Sequence, residues 1–156
     1  MELKRISEIC SGEVIENITI FTEGNIDILC IKLECGLQVE VCDNGQSCCE
    51  HRYMNCDDNL SSLVGEEFRS IKLGESSHTD HDYDVTDIQF LKFQTNKDSI
   101  TIANYNEHNG YYGGFSIESE IKASSGLSEK QLNYLSLRYA NHPEIEFSEG
   151  KVYVKD

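Results

Sequence analysis

The sequence predicts an α+β fold that is β-rich, with a mostly antiparallel sheet of about seven strands and a C-terminal helix. Three observations carry this expectation. Apolar residues alternate with period two in several separate runs, turn-forming residues separate those runs, and one capped segment of helical period stands near the end of the chain. Residues 1–156 read as a single domain, because Pro143 is the only proline and no repeat or low-complexity tract offers a linker.

The elements follow in order. A short helix is predicted over Glu2 to Ile9, with Leu3, Ile6 and Ile9 on one face. Val14 to Phe21, Ile26 to Leu33 and Leu37 to Val41 alternate as strands, joined by the tight turns Gly24-Asn25 and Cys35-Gly36. Phe68 to Leu73, Ile88 to Phe93, Ile100 to Tyr105 and Phe115 to Ile121 are the next strand-like runs, with Thr95-Asn96-Lys97-Asp98 as one of the turns between them. Ser128 with Gln131 three residues later makes a capping box, and Leu127 with Leu132 makes a staple over it. Leu132, Leu135 and Tyr139 then form a core-facing stripe, and Asn141-His142-Pro143 ends the helix because the residue before proline is pushed out of helical geometry. Lys151 to Val154 predicts a final strand.

Charge narrows the function classes. The formal charge is -15 and the pI about 4.6, which argues against direct nucleic-acid binding, since attraction to phosphate is cationic, and fits a basic protein partner. Residues 36 to 117 carry fourteen acids against five bases, so the middle of the chain holds most of the imbalance. Within it Glu75, Asp80, His81, Asp82, Asp84 and Asp87 share a window without Lys or Arg, which reads as an exposed acidic loop. Glu75, Asp80, Asp82 and Asp84 are its candidate partner-binding residues. No run of about 18 apolar residues is present and charges interrupt the first eight residues, so neither a membrane span nor a secretory leader is expected, and the expected location is the cytoplasm. An odd count of seven cysteines in a reducing compartment reads as buried thiols or metal ligands rather than a disulfide framework.

The densest chemistry lies between Gly45 and Leu60, where Cys48, Cys49, Glu50, His51, Cys56, Asp57 and Asp58 suit a borderline-soft ion such as zinc. The spacing matches no zinc finger. Neighbouring side chains on a strand point to opposite faces, so Cys48 and Cys49 can share an ion only where the backbone turns. A second cluster runs from Asn104 to Phe115 and reads as a tight loop between strands, with Gly110, Gly113 and Gly114 supplying backbone freedom. His108 in that loop is the candidate to close a metal site, giving Cys48, Cys49, Cys56 and His108 as the ligand set. Buried structural thiols, or a Cys49–His108 nucleophile and base pair, are the other readings of the same residues. A bound metal would be structural, since no H-E-x-x-H or H-x-E base is present, although Glu50 and Glu107 keep a catalytic role open. Cys10, Cys30, Cys35 and Cys42 sit in apolar or alternating surroundings and are expected as small core residues. Tyr111 and Tyr112 are expected to pack against the sheet, the alternative being to stack on a ligand.

The strings Cys48-Cys49-Glu50-x-Arg52-Tyr53, Asp57-Asp58-x-Leu60, Gln89-Phe90-Leu91 and Asn106-Glu107-His108-Asn109-Gly110-Tyr111-Tyr112-Gly113-Gly114-Phe115 together resemble a small uncharacterised domain of phages and their bacterial hosts. The resemblance covers roughly residues 37–120 and leaves 121–156 as a helix-strand extension. It implies that the cysteine pair, the following Glu50 and the loop histidine are characteristic while His51 and Cys56 occupy positions that vary, which raises Cys48, Cys49 and His108 above His51. The family pattern places a histidine just before the Gln-Phe-Leu strand, where this chain has Thr86-Asp87, so a ligand is missing or replaced by His81.

In general character the chain is also similar to type II-A anti-CRISPR proteins, small acidic phage products of which some inhibit Cas9 by occupying DNA-contacting surface. That resemblance implies a cytoplasmic inhibitor, phage or prophage encoded, which binds Cas9 and blocks target DNA without catalysis. Zinc would hold the Cys48-Cys49 segment against the His108 loop. The alternative is a metal- or thiol-dependent enzyme, or a small-ligand binder of phage metabolism, built on Cys49, Glu50 and His108. Tolerance of Glu50→Gln is expected of the binder and not of the enzyme.

Overall fold

The computed structural model describes residues 1–111 and 113–156. In chain order the elements are α1 (Leu3–Cys10), β1 (Ile15–Glu23), β2 (Ile26–Leu33), β3 (Leu37–Asp43), β4 (Glu50–Asn55), a 3-10 turn at Leu60–Leu63, β5 (Phe68–His81), β6 (Asp84–Thr95), β7 (Ser99–His108), β8 (Ile117–Ala123), α2 (Glu129–Arg138), β9 (Ile145–Ser148) and β10 (Lys151–Val154). The expected α+β class is the one observed, with ten strands among the described residues, paired antiparallel throughout, and a helix near the C-terminus. Strands β4 and β9 were not predicted. Each is short, and Glu50-His51-Arg52-Tyr53-Met54-Asn55 buries Arg52 where an apolar residue would have marked the alternation.

Two four-stranded sheets form the body, ordered β1-β2-β3-β8 and β4-β7-β6-β5, and β9 pairs with β10 in a separate ribbon. Their apolar faces meet in one core: Leu29, Ile31, Val39 and Val41 come from the first sheet, Leu91, Phe93, Ile100 and Ile102 from the second. Each fully buried aliphatic or Phe side chain there contributes about 1.5–3 kcal/mol relative to exposure. Ile6, Ile9 and Cys10 of α1 join this core, as do Cys35, Leu135 and Tyr139. Cys30 is buried as well, while Cys42 is only half-buried.

Helix α2 is held as its sequence predicts at the start. Gln131 N donates to Ser128 Oγ at 3.1 Å and Ser128 N donates to Gln131 Oε1 at 2.9 Å, completing the capping box. Leu127 packs on Gly36, where a Cβ would come within 2.2 Å of Leu127 Cδ2 and φ is +98°, so only glycine fits that turn. Of the predicted stripe, Leu135 and Tyr139 are buried and Leu132 is half-buried. The buried Glu13 carboxylate accepts from Tyr134 Oη and Tyr139 Oη at 3.0 Å each and pairs with Arg138, which fastens the C-terminal segment to the start of β1.

The acidic window differs from its expectation as a loop. Glu75 to Asp87 is a β-hairpin: Ser76 pairs with Gln89, His78 with Asp87, Asp80 with Val85 and His81 with Asp84, after a register shift between Leu73 and Ser76. Polar side chains hid these strands because this part of the hairpin extends past the core and has no apolar partner to alternate against. Cross-strand backbone hydrogen bonds, which the side-chain pattern does not report, make it a strand.

Candidate functional site

Strand β7 changes character halfway along one face. Ile100 and Ile102 bury into the core, and the next residues of the same parity, Asn104, Asn106 and His108, are buried and polar. Across the sheet Arg52 of β4 pairs with Asn106, and Asp87 of β6 pairs with Asn106 from the other side. Asp43 at the end of β3 reaches this face from the first sheet, through Asn104 Nδ2, which donates to its Oδ2 at 2.9 Å.

Arg52 is the centre of this cluster. Its Nη1 donates to Asp43 Oδ1 and Oδ2 at 2.8 and 2.9 Å and lies 3.1 Å from Gly114 O, while its Nη2 donates to Glu50 Oε2 at 2.8 Å. The side chains of Arg52, Asp43 and Glu50 are 6%, 2% and 1% exposed, so the ion pairs are largely withdrawn from solvent. Asn106 Nδ2 also donates to Glu50 Oε2 at 2.8 Å, and Ser47 N donates to Glu50 Oε1 at 3.0 Å. Burial pushes the Glu50 carboxyl up, but the hydrogen bond from Asn106 and the Arg52 charge outweigh it and hold the group below its ordinary range. Gly45 is required beside it, since a Cβ there would sit 2.7 Å from Arg52 Nη1. Arg52 Nε and Asn106 Oδ1 are buried and find no hydrogen-bond partner among the described residues.

Next to this network lies a row of two imidazoles around one carboxylate. His108 Nε2 is 2.7 Å from Asp87 Oδ2, and His78 Nδ1 contacts Asp87 Oδ1. Gly110 N donates to His108 Nδ1 at 3.0 Å, which assigns the His108 proton to Nε2, facing Asp87. Gly113 closes over the pair, where a Cβ would lie 3.3 Å from Asp87 Oδ2. Burial pushes Asp87 up, yet the hydrogen bonds from His108 and His78 prevail and leave it lowered. His78 is raised by its hydrogen bond to Asp87, with Asp80 Oδ1 3.3 Å from its Nε2.

These shifts set a pH window for the hairpin. The raised His78 stabilises fully below its unfolded value of about 6.5 and ceases to do so as pH rises through its folded value. The lowered Asp87 stabilises above its unfolded value of about 3.9 and is lost as pH falls through its folded value. The hairpin is therefore anchored best between about pH 4 and 6.5. Hydrogen-exchange protection at Thr79 and Thr86 is expected to decline above that window in the native chain and to be flat there in His78→Gln; equal decline in both would remove His78 from the anchor.

The predicted ligand set does not come together among the described residues. Cys48 and Cys49 lie in an exposed turn with their Sγ atoms 3.2 Å apart, so the backbone does turn as a shared ion would require. Cys56 lies beyond the far end of the six-residue β4, a strand about 20 Å long, where its thiol meets Thr101 O at 3.5 Å. His108 is the last residue of β7 rather than a loop residue, and both of its ring nitrogens are engaged. No group of three His, Cys, Asp or Glu side chains suited to a metal occurs among the described residues. The tie that the sequence reading assigned to zinc, between the Cys48-Cys49 segment and the loop after β7, is made by Arg52, Glu50, Asn106 and Gly114 O.

The predicted partner-binding acids also divide. Asp80, Asp82 and Asp84 are exposed at the hairpin tip, whereas Glu75 lies near its base and pairs with Lys92 at 3.2 Å. Tyr111 is 89% exposed and does not pack against the sheet as expected; Tyr112 lies outside the described residues. A surface cleft runs between α1, β5 and β8, and none of the residues lining it belongs to the network. Sequence reasoning left Asp43 and His78 without a role, read Asp87 as one more acid of an exposed loop and read Asn104 as part of a loop cluster. The available signal was the run Ile100, Ile102, Asn104, Asn106, His108, a single strand parity that turns from apolar to polar without losing its burial.

Fold and site together define a small two-sheet α+β domain whose sheets are joined at one end by a buried ionic network. The chain belongs to the family described as a domain of unknown function, DUF7448, whose model matches residues 4–117. The match begins well before residue 37, so α1 and the first strands are part of the family unit. No curated protein and no solved structure matches the chain. No helix among the described residues is long and apolar enough to cross a membrane.

Proposed function

We propose that this protein works by binding, with the β5–β6 hairpin docking on the basic, nucleic-acid-contacting surface of an enzyme and excluding DNA from it. One observation carries this reading: at the hairpin tip Tyr83 is 90% exposed between Asp82 and Asp84, with Asp80 close by. No Lys or Arg occurs between Lys72 and Lys92 to neutralise the tip. Carboxylates flanking an exposed aromatic ring offer a basic channel the same pairing of anion and flat ring that a nucleotide offers. Cas9, with a positively charged channel for its heteroduplex, is the expected partner, and the protein then acts as a phage or prophage product in the host cytoplasm.

Catalysis has no part in this proposal, and neither does zinc. Glu50 is committed to Arg52, Asn106 and Ser47, and His108 to Asp87 and Gly110, so the enzyme alternative on Cys49, Glu50 and His108 lacks a free proton acceptor. Glu50→Gln consequently does not separate binder from enzyme, because it disturbs the buried network in either case. The separating experiment is a mobility-shift titration of guide-loaded Cas9 with labelled target DNA, adding this protein first. Loss of the shifted complex at near-stoichiometric protein is expected. Unchanged target loading across Cas9 orthologues would end the Cas9 assignment.

A further inference from the structure

Cys48 and Cys49 occupy the two central positions of the turn from Ser47 to Glu50, in which Glu50 N donates to Ser47 O at 3.4 Å. Cys49 has φ +67°, a conformation that turns normally give to Gly or Asn. The left-handed residue brings its side chain round to that of its neighbour, and the two Sγ atoms stand 3.2 Å apart. Both residues are exposed, whereas the other five cysteines are buried or half-buried. A disulfide has its sulfurs about 2.05 Å apart, so closure asks for roughly 1 Å of approach within one turn, and because adjacent Cα atoms stand about 3.8 Å apart, below the usual span of a disulfide, the closed ring is strained and readily reduced.

We propose that Cys48 and Cys49 form a redox-active vicinal dithiol, closing to a disulfide within the turn by exchange with a small-molecule disulfide of the glutathione class. The Cys48 thiolate attacks one sulfur of the reagent, forming a mixed disulfide and releasing one small thiolate. The Cys49 thiolate then attacks the Cys48 sulfur, the Cys48–Cys49 bond forms, and the second small thiolate leaves. The two protons lost by the protein end on the two released thiols, and two electrons pass from the protein to the reagent. Closure is transmitted inward, because Ser47 N in the same turn donates to Glu50, whose other oxygen holds Arg52 and Asn106.

The test is to equilibrate the folded protein with mixtures of reduced and oxidised glutathione, quench with acid, alkylate under denaturing conditions, and map the peptides by mass. Two of the seven thiols are expected to disappear together, linked between Cys48 and Cys49 and restored by reductant. Cys48→Ser is expected to give a single glutathione adduct on Cys49. Three outcomes overturn the proposal: both thiols still alkylatable in a buffer that oxidises a thioredoxin-type dithiol, two stable glutathione adducts side by side, or a disulfide between chains. Oxidation should also shift the Asn106 side-chain amide resonances in the native chain and not in Cys48→Ser; an unmoved Asn106 would overturn the transmission to the network.

Discussion

Arg52→Ala is expected to lower the unfolding free energy by about 3–5 kcal/mol. The substitution leaves the Asp43 and Glu50 carboxylates buried without their cation, and it removes the donor that reaches Gly114 O from β4. The cost comes from the stranded charges more than from the lost attraction, since moving two carboxylates out of water is only offset while the guanidinium is present. Urea unfolding followed by far-UV circular dichroism measures it. Arg52→Lys should recover only part of the loss, because an ammonium cannot span Asp43, Glu50 and Gly114 O with the geometry of a planar fork. Replacing Arg52, Asp43 and Glu50 together by apolar residues of matching volume should cost less than Arg52→Ala alone. A loss below about 1 kcal/mol for Arg52→Ala would mean that the cluster is solvated, and the account of the site would then be wrong.

The second large effect concerns binding. Asp80→Asn, Asp82→Asn and Asp84→Asn combined should slow association with a basic partner by about tenfold to a hundredfold at low salt and flatten its dependence on ionic strength. All three side chains are exposed at the hairpin tip and only Asp80 touches the His78 anchor, so the fold should be retained with at most a small loss of stability, which a thermal melt checks. Glu75→Gln alone should do little, because Lys92 already balances that charge. Association rates measured against salt for the triple variant and the native chain give the answer. Identical salt slopes would place the hairpin outside the interface.

Much of the fold was legible because local signals and tertiary structure agree in most of the chain. The alternation in Ile100 to Tyr105 and the Ser128–Gln131 capping box each report an interaction made within a few residues or with one apolar face. The site was less legible. Cys48, Cys49 and His108 drew attention because thiols and imidazoles are chemically conspicuous, yet the structure joins those segments through Arg52, Glu50 and Asn106. Asp87 read as one more acid in an exposed loop, although it is buried between two histidines on a strand.

The sequence by itself determined the α+β class, most of the strands, the capped C-terminal helix and the acidity of the middle of the chain. These follow from side-chain periodicity, local capping and composition, which need no knowledge of distant partners. Only the tertiary structure decided that the acidic window is a hairpin, that Arg52 joins the two sheets, and that His108 faces Asp87 while Cys56 lies a strand length from Cys49. Each of these depends on register between strands distant in sequence. A register change of one residue would turn Asn104, Asn106 and His108 to the opposite face, and no local pattern of polar residues records which register is adopted.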